Sequence, residues 1–323
     1  MKQRDSVLDV FRCLAMFLIV LGHVYQYGTY YHVSKWFDLV FGLYLCWHVD
    51  AFLALSGWFG IKFTVQKFVR LWGVIALYSV VSLVIGRCCF GMSVPFRITG
   101  GWYGNTYLCL MLVVPLLNAG IEGLIAKGRK TAWLAWCGFA AVMWINWLSG
   151  NSYIGLVAYD IGPFSLVQMV FVYFTVRLVR LTNVAEMVRV KHLLTAILVF
   201  FACAIVMPAS RTNYIAPYTI VMAIAMLLLF EKYVRVPNWL EKVCVWAAPS
   251  MFGVYLLHDV TSFGKMFYRA PMSLMIDLAV PSYVVVILCA IICFCVCFSI
   301  EFVRKVLFEL VIKAKRTTDK QAE

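Results

Sequence analysis

Ten stretches of the chain stay apolar for about the length a bilayer-spanning helix needs, roughly 20 residues. They cover 7–28, 37–60, 69–90, 103–121, 131–149, 162–180, 193–209, 214–230, 245–264 and 279–300. Each reads as a helix, because a segment in lipid must satisfy its own backbone N–H and C=O groups. Short clusters of Lys and Arg punctuate the stretches. An even number of crossings puts both termini on one side. If that side is the cytoplasm, twenty-one Lys and Arg fall inside and six outside, with Arg12 left within the first helix. This is the positive-inside asymmetry, and it orients both termini toward the cytoplasm. The pattern predicts an all-α, polytopic transmembrane bundle of about ten helices over residues 1–310. A short, charged, flexible cytoplasmic tail is expected over 311–323. Pro115, Pro163, Pro208 and Pro249 are expected in or near helix ends. No internal repeat, low-complexity linker or second domain is visible.

Composition agrees with the pattern. Of 323 residues, 64% are apolar and 13% charged, and mean hydropathy is +0.89. Soluble domains carry roughly 45–50% apolar and 25% charged residues. The net charge of +13 does not indicate nucleic-acid binding, because the cations sit in short clusters and form no continuous basic face. Lys2 and Arg4 before an apolar run imitate a signal peptide. Asp9, Arg12 and His23 interrupt that run and no A-x-A site follows, so the segment reads as a retained first helix. Most of the twelve cysteines lie inside apolar runs, among them Cys13, Cys46, Cys109 and Cys137. Cys289, Cys293 and Cys297, at i, i+4 and i+8, would stripe one helix face. No CxxC or Cys/His zinc spacing occurs, so no metal site is expected and the thiols read as small core-packing groups.

Ionisable side chains at mid-bilayer cost at least about 2.5–3.5 kcal/mol each, which makes them functional candidates. The first helix carries three: Asp9, Arg12 and His23. Arg12 and His23 are eleven residues apart, about three turns, so they share a face roughly 16 Å apart along the axis. Arg12 reads either as a functional cation or as an interfacial anchor paired with Asp9. In the second helix, Asp50 is expected to orient a histidine, bind a hydroxyl or pair with an intramembrane Arg, and His48 lies beside it. Ser56-Gly57 lacks a G-x-S-x-G elbow and reads as a close helix contact. His258-Asp259 falls at a depth like that of His23, either meeting an acceptor or lying at the interface. His32 and His192 read as loop residues.

The same residues carry a resemblance. Leu8-Asp9-Val10-Phe11-Arg12 followed by His23 resembles the start of the membrane acyltransferase-3 family, whose signature is an Arg and a His separated by ten residues. His48 to Phe59 resembles its "VDxFFxLSGxF" helix, and Lys67-Phe68-Val69-Arg70 resembles its basic pair, with Lys where Arg is usual. Trp102-Tyr103, Tyr107 and Pro115-Leu116-Leu117-Asn118 resemble its fourth helix. Ser250 to His258 resembles its late "SxxxYLxH" element. The likeness runs from residue 8 to residue 258.

The resemblance implies a bacterial O-acyltransferase of the cytoplasmic (inner) membrane that modifies surface polysaccharides or lipid-linked glycans. The expected donor substrate is cytoplasmic acyl-CoA, acetyl-CoA in the first instance, with no permanently bound cofactor and no nucleic-acid partner. Phosphates of the donor need cations at the inner face, and Arg12, Lys67 and Arg70 map there. Acyl transfer also needs a base for the hydroxyl proton and stabilisation for the oxyanion. His23 is the expected base and Arg12 acts with it. Asp9, His48, Asp50, Tyr107, Tyr255 and His258 are further site candidates. Some family members carry an added extracytoplasmic hydrolase-like domain; none is visible here, so the chain is expected to act alone or with a separate extracytoplasmic partner. The rival readings are a secondary transporter of a glycan intermediate or small anion, and a non-catalytic scaffold for polysaccharide assembly. Transporters often show repeats and paired broken helices, and neither is found here.

Overall fold

A computed structural model of the chain describes residues 6–28, 47–93, 95, 97–149, 165–207, 213–278 and 280–322. Lys2, Arg4, His32, Lys35, Cys46, Pro163, Pro208 and Arg211 lie outside them. Every long element among the described residues is a helix. In chain order these are α1 Ser6–Gly28, α2 His48–Phe59, α3 Val65–Phe90, α4 Gly101–Ala126, α5 Arg129–Ser149 and α6 Leu166–Leu181. They continue with α7 Val190–Val206, α8 Pro217–Lys232, α9 Asn238–Val260, α10 Met266–Asp277 and α11 Ser282–Ala322.

Each of the ten apolar stretches overlaps one of these helices. Five helices are long and apolar enough by themselves to cross a membrane: Ser6–Gln26, Val65–Phe90, Gly101–Ala126, Asn238–Val260 and Ser282–Leu310. The chain is a multi-pass helical membrane protein. The ends of the elements follow local chemistry. The Thr64 side chain accepts from the Lys67 N–H at the start of α3, which ends on left-handed Gly91. Ser165 accepts from the Gln168 N–H at the start of α6. Pro217 opens α8, where its missing N–H costs nothing.

One expectation changes. Pro115 lies well inside α4, and Pro249 sits in a 3₁₀ turn within α9. Neighbouring helices can re-satisfy the carbonyls that such prolines free, so a bundle tolerates them away from helix ends. Beyond Leu310 the backbone of α11 continues to Ala322. No Pro or Gly interrupts that segment, and Lys, Ala and Arg favour helix. One element had no counterpart among the apolar stretches, the short α10, which has Pro271 inside it.

The bundle is built around α1 and α2. The α1 helix packs against α2, α8, α9 and α11, while α2 lies between α6 and α8. Nine of the twelve residues in α2 are buried. By contrast, α4, α5 and α7 turn Leu116, Leu134, Leu148, Leu198 and Val206 outward, where only lipid can cover them. Helices in lipid associate by close packing and interhelical hydrogen bonds rather than by hydrophobic burial. Gly57 shows the first: a Cβ there would come within 3.0 Å of the Tyr173 carbonyl oxygen and the Val176 Cβ on α6. Cys289, Cys293 and Cys297 are fully buried along one face of α11. Cys109 and Cys137 are exposed instead, because an apolar thiol needs no protein neighbour in lipid.

Candidate active site

One end of the site begins on α1. Asp9 is buried, and its Oδ1 accepts from the Arg12 guanidinium three residues on, at 2.8 Å. The pair stays partly open, and the guanidinium lies 5.9 Å from the centre of the Phe59 ring at the end of α2. The chain then turns sharply between α2 and α3. Gly60 takes φ 73°, and a side chain there would strike Arg177. Both backbone groups of Ile61 are held by other helices. Its N–H donates to the Tyr173 hydroxyl at 3.0 Å, and its carbonyl accepts from Asn118 Nδ2 at 3.2 Å. The Tyr173 hydroxyl in turn donates to Asn118 Oδ1 at 2.9 Å. This clamp from α4 and α6 fixes the turn that carries Lys62. The Lys67 ammonium comes back to the Lys62 carbonyl at 3.3 Å.

Arg12, Lys62 and Lys67 all line one cavity of about 420 Å³, and among the described residues no carboxylate lines it. Its wall also holds Ser56 and Tyr107, whose hydroxyls lie 3.1 Å apart. Phe52, Tyr103 and Phe252 also line this cavity. These three also border a second void, about 10 Å³, beside His23. That is room for roughly one water. The Tyr103 hydroxyl is buried and has no hydrogen-bond partner among the described residues.

His23 is only 13% exposed at its side chain, and its Nδ1 lies 2.9 Å from His258 Nε2 on α9. The Asp259 carboxylate is 3.6 Å from the same His23 nitrogen. Here α9 ends as a π-turn over Leu256–Val260, with His258 Nδ1 placed 2.8 Å from the Val254 carbonyl oxygen. Tyr255 packs edge-on to Tyr103, ring centres 5.7 Å apart. Its hydroxyl sits over Gly101, whose φ of 65° and missing Cβ leave the space.

A family model described as an acyltransferase domain matches residues 5–300. The chain belongs to the acyltransferase-3 family. No curated protein and no solved structure matches it. Family membership supports acyl transfer as the general chemistry, and the positions of the candidate residues can be set against it.

In this acyltransferase-3 chain, Arg12, Lys67 and Tyr107 meet at the larger cavity, and His23, which borders the second void, meets His258. Tyr255 stands beside the second void. Arg70 is not brought in: it is exposed on α3 and does not line the cavity. Asp50 is fully buried and, among the described residues, meets neither Arg nor His; its Oδ1 accepts from Gln168 Nε2 on α6. The other oxygen of Asp50 and the Gln168 Oε1 have no partner among the described residues, and neither has Nδ1 of buried His48. Lys62, Gln168 and Phe252 were not singled out from sequence. Lys62 reads there as one more topological charge, and only the clamp on Ile61 directs it to the cavity.

Proposed function

We propose that this protein is an integral-membrane O-acyltransferase that moves an acetyl or other short acyl group from cytoplasmic acyl-CoA to a hydroxyl of a surface polysaccharide or lipid-linked glycan. It crosses a bacterial cytoplasmic membrane ten times with both termini inside. One observation carries the reading: a cavity lined by Arg12, Lys62 and Lys67, with Asp9 paired to Arg12, shares Phe52, Tyr103 and Phe252 with the void beside His23. Arg12, Lys62 and Lys67 suit the phosphates of a CoA, Arg as a bidentate fork and the lysines as point charges. The roughly 16 Å rise along α1 from Arg12 to His23 is about the reach of an extended pantetheine arm. A donor held by its phosphates inside then presents its thioester beside an imidazole in the outer half of the membrane.

The chemistry needs three parts. The His23 imidazole takes the proton of the acceptor hydroxyl as its oxygen attacks the thioester carbon. The Tyr103 hydroxyl, buried between the two spaces, donates to the oxyanion of the tetrahedral intermediate. The C–S bond then breaks, and His23 returns the proton to the CoA sulfur.

Purified full-length protein in lipid nanodiscs, incubated with radiolabelled acetyl-CoA and candidate glycans, tests the proposal. An alkali-labile label on a glycan is the expected result. Failure to label any glycan or lipid-linked glycan, with intact acetyl-CoA recovered, refutes it and leaves the transport and scaffold readings standing.

A further inference from the structure

The geometry points to His258 as a positioning residue that fixes His23 in the Nδ1-protonated tautomer, so that the lone pair for the acceptor's proton sits on His23 Nε2. A backbone carbonyl sets the first tautomer. His258 Nδ1 lies 2.8 Å from the Val254 oxygen, and a carbonyl oxygen can only accept, so this nitrogen carries the hydrogen. A neutral imidazole has one N–H, which leaves the lone pair of His258 on Nε2. That nitrogen lies 2.9 Å from His23 Nδ1, so His23 Nδ1 donates. The remaining nitrogen of His23, Nε2, is then the basic one. Each step follows from the one before, and the first is fixed by the main chain.

The device depends on the shape of α9. An ordinary α-helix ends its turns with i→i−4 bonds, but here the Thr261 N–H reaches back five residues to the Leu256 carbonyl at 3.1 Å. This π-turn sets the azimuth of His258, and such turns are concentrated at functional sites. The arrangement also survives proton uptake. When Nε2 of His23 takes a proton, Nδ1 still donates to His258, and the Asp259 carboxylate at 3.6 Å faces the new charge. No hydrogen bond in the relay has to reverse during the step, which is preorganisation of the kind that lowers barriers. His258 therefore plays the part that a carboxylate plays behind many catalytic histidines: it orients the base and holds its tautomer.

The consequence for rate rests on the acyltransferase reading; the tautomer does not. In the transfer step the acceptor O–H bond breaks and its proton goes to His23 Nε2. The new C–O bond forms at the acyl carbon, the C–S electrons leave on sulfur, and the same proton passes to that sulfur. With the wrong tautomer, Nε2 would carry a hydrogen and could not take the proton at all.

Two full-length variants and one spectrum test the assignment. His258→Phe keeps a ring but has no acceptor; His258→Gln keeps an acceptor oxygen for the His23 Nδ1–H. The expected result is a fall in kcat of about 10²–10⁴-fold for His258→Phe with KM for acetyl-CoA within a few-fold of wild type. His258→Gln should recover at least about tenfold of that loss. A role in packing alone would leave the two variants equally impaired, and that outcome overturns the assignment. Independently of activity and of variant folding, ¹⁵N-histidine spectra of the wild-type protein, with His23 assigned by difference from His23→Gln, should show hydrogen on His23 Nδ1. Hydrogen on Nε2 overturns the inference. The expected tautomer in a protein that transfers no acyl group would uphold it and sink the acyltransferase reading alone.

Discussion

Removing the imidazole of His23 is the perturbation that bears most directly on the chemistry. His23→Ala deletes the group proposed to take the acceptor proton and leaves His258 Nε2, now an acceptor in a buried setting, without its donor. General-base catalysis contributes about 10²–10⁴-fold, which corresponds to about 2.7–5.5 kcal/mol in the barrier. The stranded acceptor on His258 costs about 1–3 kcal/mol of stability where water does not replace the donor. That is enough to lower expression but not to prevent insertion, which the apolar length of α1 drives. Activity must therefore be compared at matched membrane levels of folded protein, by labelled ester formation from acetyl-CoA. His23→Gln keeps a donor and an acceptor at this position yet cannot carry the proton, so it should be as inactive as alanine. The acid limb supplies a second check. A protonated imidazole has no lone pair, so kcat/KM of the wild type should fall on the acid side once the imidazole takes up a proton. That limb should be missing from the residual activity of His23→Ala. Transfer within a few-fold of wild type at matched levels would refute the base assignment.

Other consequences can be checked separately. Lys62→Ala and Lys67→Ala should each raise KM for acetyl-CoA several-fold with a smaller change in kcat, and Arg70→Ala should act more weakly than either, because Arg70 does not line the cavity; equal effects in steady-state kinetics would count against the donor site. Arg12→Lys keeps the charge but loses the fork, so donor affinity measured by equilibrium binding should weaken while thermal stability changes little. Tyr103→Phe removes one hydroxyl from a buried ring and should lower kcat about 10²–10³-fold without loss of folded protein; unchanged kcat would exclude it as the oxyanion donor. In a cysteine-depleted background, cysteines placed at Arg129 and Arg235 should react with impermeant reagent from the cytoplasm alone and one at Asn151 from outside alone; labelling of Asn151 only from the cytoplasm would end the ten-crossing topology.

Local periodicity and the cost of charge in lipid are properties of a single segment, and these made much of the protein legible in advance. The apolar stretches mark where helices form, because a segment in lipid must bond its own backbone. The shared face of Arg12 and His23, the i+3 pairing of Arg12 with Asp9 and the buried stripe of Cys289, Cys293 and Cys297 follow from 3.6 residues per turn. Tertiary structure decided whatever depends on which helix lies next to which. His23 and His258 are 235 residues apart, and no periodicity relates two helices, so their contact and the tautomer it imposes could not be read from either segment. Arg70 and Lys62 are equivalent in sequence, as charges in the same short cluster between apolar stretches. The clamp from Tyr173 and Asn118 onto Ile61 turns one toward the cavity, while the azimuth of α3 leaves the other outside. Asp50 shows the same limit: its sequence marks it as a buried acid in need of a partner, but only the packing of α2 against α6 supplies Gln168 as that partner.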